Sequence, residues 1–335
     1  MREWKHGSGF DEVIGHRDIV THLKNAVQTG KVSHAYLFSG EKGSGKHMLA
    51  TYFAMALECQ EQEDVPCMHC PSCKKALSGN HPDIKRIVPE SASSLGVEAL
   101  RTQLVEDVSI RPYERPYKVY IVDDADLMTV QAQNAILKTI EEPPAYAVVI
   151  LLSENSDRLL ETIRSRCTEL DFRPVEDKEI EQYLMNQMEL PDYQAAIVAS
   201  YAQGNVGKAV RAVASSEFME MTRNAVQLMK SSESLDSSGL IEAVKLLNGE
   251  KQNIDEYLEL FSMWFRDVLL FKATREVDQL IFKQEINEIS ERAACSSYEG
   301  IETILKAIDT AAVRLRANVN FDLVMELLFL TIREN

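Results

Sequence analysis

Two groups of residues in this sequence have types and spacings that do chemistry. The first is Gly40-Glu41-Lys42-Gly43-Ser44-Gly45-Lys46-His47, which fits G-x-x-x-x-G-K up to its last position. Glycines at 40, 43 and 45 let backbone N–H groups turn inward around a phosphate. Lys46 supplies a charge, and a helix starting near His47 adds its positive dipole end. The eighth position of such a loop carries Ser or Thr, whose hydroxyl binds Mg2+. Here it is His47, a poor ligand for a hard cation. Further along, Val119-Tyr120-Ile121-Val122-Asp123-Asp124 is an apolar run ending in carboxylates. In a phosphate-loop ATPase the first acid orients Mg2+ and the next, usually Glu, polarises the attacking water. Asp124 is one methylene shorter than Glu and has less reach. Taken alone, this is a solvated strand end. Beside the glycine loop, it completes a degenerate nucleotide site of Gly40, Gly43, Gly45, Lys46, Asp123 and Asp124.

The second group is Cys59, Cys67, Cys70 and Cys73. Four thiols in a short insertion, the last three separated by two-residue gaps, suit a closed tetrahedral Zn2+ site, with His69 as a possible substitute ligand. Packing as small apolar groups is the alternative, but residues 60–66 are polar and offer little core to join. Cys167 and Cys295 read as ordinary packed thiols.

These residues need elements to position them. Short apolar runs at 35–38, 84–88, 119–122 and 148–152, with a weaker one at 168–172, predict strands. Helical periodicity lies between them at 19–27, 48–57, 97–108, 130–140 and 158–164. Strands alternating with helices predict a parallel sheet covered on both faces. Nine of the ten prolines lie at or before Pro174, so the second half reads as mostly helix. Residues 176–215 suggest three short helices broken at Pro191 and Gly204. Residues 231–239 are Ser-rich and predict a loop. Longer amphipathic helices are expected over 240–248, 254–273, 278–294 and 300–333.

Composition excludes several classes. With 36 basic and 52 acidic side chains among 335 residues, the net charge is −16. Tight nucleic-acid binding by the isolated chain is therefore not expected, because it draws on clustered Lys and Arg. A content of 45% hydrophobic and 26% charged residues is that of a globular protein. The apolar run 147–152 falls far short of the ~20 residues of a membrane span. Residues 1–5 lead into no apolar segment, so no secretory signal and a cytoplasmic location are expected. Six cysteines in a chain this long do not form a disulfide framework.

Several further segments are specific in combination. In order they are Val32-Ser33-His34-Ala35-Tyr36-Leu37-Phe38, the glycine loop, the cysteine insertion and Gly79-Asn80-His81-Pro82-Asp83. Asn134-Ala135-Ile136-Leu137-Lys138-Thr139-Ile140-Glu141-Glu142-Pro143-Pro144 and Ser165-Arg166-Cys167 follow. This series resembles the bacterial clamp-loader ATPases of the AAA+ class, the gamma/tau and delta-prime family of DNA polymerase III, and covers residues 10–174 densely. The resemblance implies an α/β AAA+ phosphate-loop domain over 1–174 with the four-cysteine zinc insertion at 59–73. A small helical lid over 175–214 and an all-α collar over 215–335 would follow. It implies a five-subunit ring with gamma/tau and delta, loading a sliding clamp onto primed DNA, with ATP held between neighbours. Arg166 would reach the neighbouring site as an arginine finger.

Departures from the family pattern divide motor from stator. His47 replaces the Mg2+-binding hydroxyl, and Asp124 the catalytic Glu. In Gly204-Asn205-Val206-Gly207-Lys208-Ala209, Gly207 stands where the family's sensor Arg contacts the γ-phosphate. Three losses with the finger kept imply the non-hydrolysing delta-prime branch, a polymerase holoenzyme subunit without ATPase activity of its own. Lys46 and the loop glycines could still hold ATP without turning it over. The competing reading is an active gamma/tau-type motor. A zinc-stabilised nucleotide module outside replication is disfavoured by the Ser-Arg-Cys and Glu-Glu-Pro-Pro segments.

Overall fold

The apolar runs of the first half become five parallel strands in a computed structural model that describes residues 9–61, 64–89, 94–232 and 236–335. They are β1 (Ala35–Gly40), β2 (Ile84–Ile87), β3 (Lys118–Val122), β4 (Ala147–Ser153) and β5 (Thr168–Phe172), in the order β2-β3-β4-β1-β5. Successive residues of a strand enter different cores. Tyr36, Phe38, Val119, Ile121, Val148 and Ile150 face one apolar cluster. Ala35, Leu37, Tyr120, Val122, Val149 and Leu151 face the other. The inner strands β3, β4 and β1, covered on both faces, carry continuous apolar stretches as a parallel sheet requires, whereas the edge strands β2 (Ile-Lys-Arg-Ile) and β5 (Thr-Glu-Leu-Asp-Phe) interleave polar and charged residues.

Helices α1 (Arg17–Thr29), α2 (Lys46–Glu58) and α3 (Pro71–Leu77) lie in the chain around β1 and ahead of β2. Leu23 of α1 and Leu49 and Phe53 of α2 build the first core. The second is built by α4 (Val97–Leu100), α5 (Val130–Glu141) and α6 (Glu161–Arg164), through Leu100, Ile136 and Ile163. Thr129 caps α5, its Oγ1 accepting from the Ala132 amide at 3.2 Å. The same helix ends just ahead of Pro143-Pro144. The helix predicted over 97–108 is continuous but changes winding, with a π-helical stretch over Arg101–Glu106 after α4.

After β5 every regular element among the described residues is helical. The three short helices are α7 (Asp177–Met188), α8 (Asp192–Ala202) and α9 (Val206–Ala214), followed by α10 (Ser216–Ser231), α11 (Ser237–Gly249) and α12 (Ile254–Thr274). The chain finishes with α13 (Ile286–Cys295), α14 (Tyr298–Arg316) and α15 (Phe321–Glu334). The loop expected at 231–239 overlaps residues 233–235, which lie outside the described residues, as do residues 1–5. Helix α12 packs against α10, α13 and α14, and buries Phe261, Trp264, Phe265 and Val268.

Two of the long helices expected in the second half differ from the structure, and the exposed Cys295 is not the packed thiol expected of it. The segment 300–333 is two helices, because Asn318 adopts φ 57° and Asn320 then caps α15, its Oδ1 accepting from the Leu323 amide at 3.0 Å. The helix expected over 278–294 starts only at Ile286. Ahead of it, the amides of Ile281 and Phe282 donate to Asp267 Oδ2 at 2.8 and 2.7 Å, a tertiary bond that competes with helix. The chain forms two compact units: one takes the residues up to Glu179 together with Asn205–Gly207, and the other takes Ile180–Gly204 and Lys208–Asn335. No described helix is long and apolar enough to cross a membrane.

Candidate nucleotide site and cysteine centre

The glycine loop leaves β1 at Gly40 and enters α2 at Lys46. A Cβ at Gly40 would stand 2.6 Å from the Phe172 carbonyl oxygen, so pairing with β5 already requires glycine there. Lys46 Nζ donates to the carbonyls of Gly40 and, at 2.8 Å, of Glu41. Burial pushes its pKa down, against the upward pull of Glu154, Asp126, Asp124 and Glu41. His16 steadies the loop, its Nε2 donating to the Ser44 carbonyl at 3.1 Å while its ring leans on Phe172.

From the other side, Asn205-Val206-Gly207 packs on the loop backbone to backbone. The Gly207 amide donates to the Gly43 carbonyl at 2.9 Å, and Asn205 Nδ2 to the Lys42 carbonyl at 2.8 Å. A Cβ at Gly207 would meet Gly43 O at 2.7 Å and its Cα at 2.9 Å. Position 207 therefore has no space for any side chain, and an Arg could enter only if the loop moved.

The acids sit at the end of β3, where the Asp123 amide donates to the Ile87 carbonyl at 2.9 Å. Asp123 is 8% exposed, and both of its carboxylate oxygens are engaged. Oδ2 accepts from Arg86 Nε at 2.6 Å and lies 2.5 Å from Nη2. Oδ1 faces His47 Nδ1 at 3.3 Å. Burial alone would raise this carboxyl, but the contacts with His47 and Arg86 outweigh it and hold the pKa below the usual carboxylate range. Asp124 takes a left-handed backbone at φ 46°. Mg2+ demands near-octahedral oxygen coordination. An imidazole and a carboxylate already bound to a guanidinium do not fit it.

The start of β3 is fixed by a second ionic cluster. Lys118, 0% exposed, donates to Asp107 Oδ2 at 2.8 Å and to the carbonyls of Asp107 and Ile110 at 3.1 and 3.2 Å. Lys85 Nζ donates to Asp107 Oδ1 at 2.6 Å and the Tyr120 hydroxyl to Oδ2 at 2.7 Å.

Arg166 stands apart from the loop residues. Its Nη1 donates to the Thr162 carbonyl at 2.8 Å and to Ser165 Oγ at 3.3 Å. Its Nη2 pairs with Glu141 Oε1 at 3.1 Å, and the side chain is 39% exposed. The Ser-Arg-Cys and Glu-Glu-Pro-Pro segments thus meet in one ion pair.

The four cysteines do converge. Cys67 and Cys59 Sγ lie 3.9 and 3.8 Å from Cys73 Sγ, and all four sulfurs fall within 4.8 Å of one another. A tetrahedron with Zn–S of about 2.3 Å has edges of about 3.8 Å. The amides of Cys67, Cys70 and Cys73 donate to the sulfurs of Cys59, Cys67 and Cys70 at 3.5, 3.3 and 3.4 Å. The donor set fits a structural metal. Ser72, inside α3, ties the insertion inward: its Oγ donates to the Glu58 carbonyl at 2.7 Å and accepts from His81 Nε2 at 3.0 Å. The Asp83 carboxylate accepts from the amides of Tyr113 and Glu114, both at 2.8 Å. The Gly79-to-Asp83 segment is therefore a structural stitch between the insertion and β2.

Of the expected residues, the loop glycines, Lys46, Asp123 and Asp124 come together, and the cysteines gather separately. Arg86, His16 and Asn205 were not anticipated. For Arg86 the available hint was a cation near the end of one strand, ahead of a neighbouring run that ends in acids.

Comparison with known proteins shows the family. The family model for DNA polymerase III, delta subunit, matches residues 15–176, and that for DNA polymerase III, delta subunit, C terminal, matches residues 218–334. The DNA polymerase III subunit delta' of Bacillus subtilis is 33% identical over 93% of this chain and 94% of its own length. The chain belongs to the delta-prime-type clamp-loader subunits of DNA polymerase III. The relation extends to the tau subunit of the same organism, 30% identical over 89% of this chain. There the chain spans only 57% of the relative's length, whereas coverage with the delta-prime subunit is mutual. The crystal structure of a gamma-subunit-related protein from Thermotoga maritima superposes at a TM-score of 0.41 with 22% identity, covering 93% of this chain and 98% of that one.

Proposed function

We propose that this chain is the non-hydrolysing stator of a clamp loader. In this reading it joins gamma/tau and delta subunits in a hetero-pentameric ring in the cytoplasm and helps load the sliding clamp onto primed DNA. Arg166 is offered to a neighbouring motor's ATP, where a guanidinium stabilises charge on the transferring phosphoryl group. The phosphate-loop domain spans 1–174, the lid 175–214 and the collar 215–335. DNA contact comes through the assembly, consistent with a net charge of −16. Cys59, Cys67, Cys70 and Cys73 hold one Zn2+, which stabilises the insertion and takes no part in chemistry.

The observation that carries the reading is the contact of Gly207 with Gly43. The lost sensor Arg is not an isolated substitution, because the loop occupies the space it would need. A nucleotide cradled by Lys46 would lack a group to read its γ-phosphate.

Reconstitution with the motor subunit tests this. Arg166→Ala is expected to leave the chain folded and to lower DNA-stimulated ATPase sharply. A finger given in trans is worth ~10³ or more in rate, diluted here because one of several interfaces is affected. Lys46→Ala is expected to do much less. Should Lys46→Ala cripple the ring while Arg166→Ala is silent, the chain is a motor and the stator reading fails.

A further inference from the structure

We propose that Arg86 takes the electrostatic place of the divalent cation at Asp123, so that the phosphate loop of this chain has no Mg2+ position. This rests on the reading of the loop as a degenerate nucleotide site and names the residue that closes it. The substitution at position 47 removes one Mg2+ ligand. It does not by itself explain why the acid of β3 should be unavailable.

The geometry supplies that reason. Strands β2 and β3 run in parallel register with Arg86 opposite Ile121, two residues before Asp123. The bond from the Asp123 amide to the Ile87 carbonyl locks the strand ends together. From there the guanidinium reaches Oδ2 through both Nε and Nη2, at 2.6 and 2.5 Å. A charge-assisted contact of this kind is roughly twice as strong as a neutral hydrogen bond, and Arg stays charged at any working pH. The carboxylate is nearly buried while the Arg86 side chain is 54% exposed, so the cation closes the acid off from the solvent side. His47 takes the other oxygen at 3.3 Å. Mg2+ dehydrates reluctantly and binds through carboxylates that are free to accept its waters. Here it would have to displace a guanidinium already in hydrogen-bond contact. Arg86 is thus a positioning residue: it acts on the site by holding Asp123.

The test uses the full chain and a fluorescent ADP analogue, titrated in EDTA and in millimolar Mg2+. The proteins are the unchanged chain, Arg86→Gln, His47→Thr and the double variant, each checked for folding by its melting curve. The unchanged chain is expected to show no Mg2+ dependence. The double variant is expected to gain about tenfold in affinity on adding Mg2+, and His47→Thr alone less than about twofold. Arg86→Lys in the His47→Thr background keeps the charge and should remain insensitive to Mg2+. Mn2+ binding followed by electron paramagnetic resonance should give the same ranking without nucleotide. Equal gains by His47→Thr and the double variant, or a folded double variant without metal dependence in either measurement, would overturn the assignment. Tenfold tightening of the unchanged chain by Mg2+ would overturn it too. None of these results bears on the stator reading, which fails instead if the unchanged chain turns over ATP.

Discussion

Changing Asp107 to Asn removes one negative charge and almost no volume, yet it should be among the most damaging substitutions in the first unit. Asp107 takes the Lys118 ammonium, the Lys85 ammonium and the Tyr120 hydroxyl. Lys118 has no solvent exposure, so in Asp107→Asn its charge stays buried with no countercharge, only neutral acceptors: the carbonyls of Asp107 and Ile110 and the new amide oxygen. Removing one partner of a buried pair costs about 3–5 kcal/mol. Lys85, 37% exposed, adds at most about 1 kcal/mol. The Tyr120 hydroxyl can still donate to the amide oxygen, so nothing is charged to it. The expected loss is therefore about 3–6 kcal/mol. Replacing Lys118 with Met in the same chain should recover most of it, because an apolar side chain of similar length leaves no orphaned charge. Urea denaturation followed by far-ultraviolet circular dichroism, with the transitions of the two units fitted separately, measures both variants. A loss below about 1 kcal/mol for Asp107→Asn would refute the reasoning, as would additivity of the two single changes. The sign with pH is also fixed. Burial raises the Asp107 carboxyl, but Lys118, Lys85 and Tyr120 outweigh it and hold the pKa low. Its contribution should persist at neutral pH and fade only as acid protonates it, below the usual carboxylate range.

Asp267 should behave in the opposite sense. Burial pushes it up to about 6, and the amides of Phe282 and Ile281 offset only part of this. A carboxyl raised in the folded state stabilises most below its unfolded pKa and loses that contribution as pH rises, so stability of the second unit should fall by roughly 3 kcal/mol between about pH 4 and 6. Comparing melting profiles of the unchanged chain and Asp267→Asn isolates the effect, and a difference profile flat with pH would contradict it. For the cysteine centre, metal analysis should find one zinc per chain, and Cys70→Ala should lose it and lower the melting temperature of the first unit. Unchanged zinc content in Cys70→Ala would exclude the four-cysteine site.

Local features of the sequence determined a great deal. Residue spacing carried the glycine loop, the strand that ends in acids and the four cysteines, because a phosphate cradle or a metal tetrahedron demands particular residue types a few positions apart. Continuous apolar runs between helical patterns announced a sheet buried on both faces. The break at Asn318 was also written locally, in two asparagines suited to a left-handed turn and a cap, though apolar periodicity alone runs straight through it.

Tertiary structure decided which charged groups meet. Arg86 reaches Asp123 because β2 pairs with β3 in one register, and a one-residue slip would turn either side chain to the other face. Lys118 finds Asp107, and Gly207 meets Gly43, across chain separations that no periodicity encodes. Each residue brings its own charge and local backbone preference from the sequence. The distance between residues far apart in the chain is set by strand order and packing, and that distance determines whether a buried acid is available for a metal or paired with an arginine.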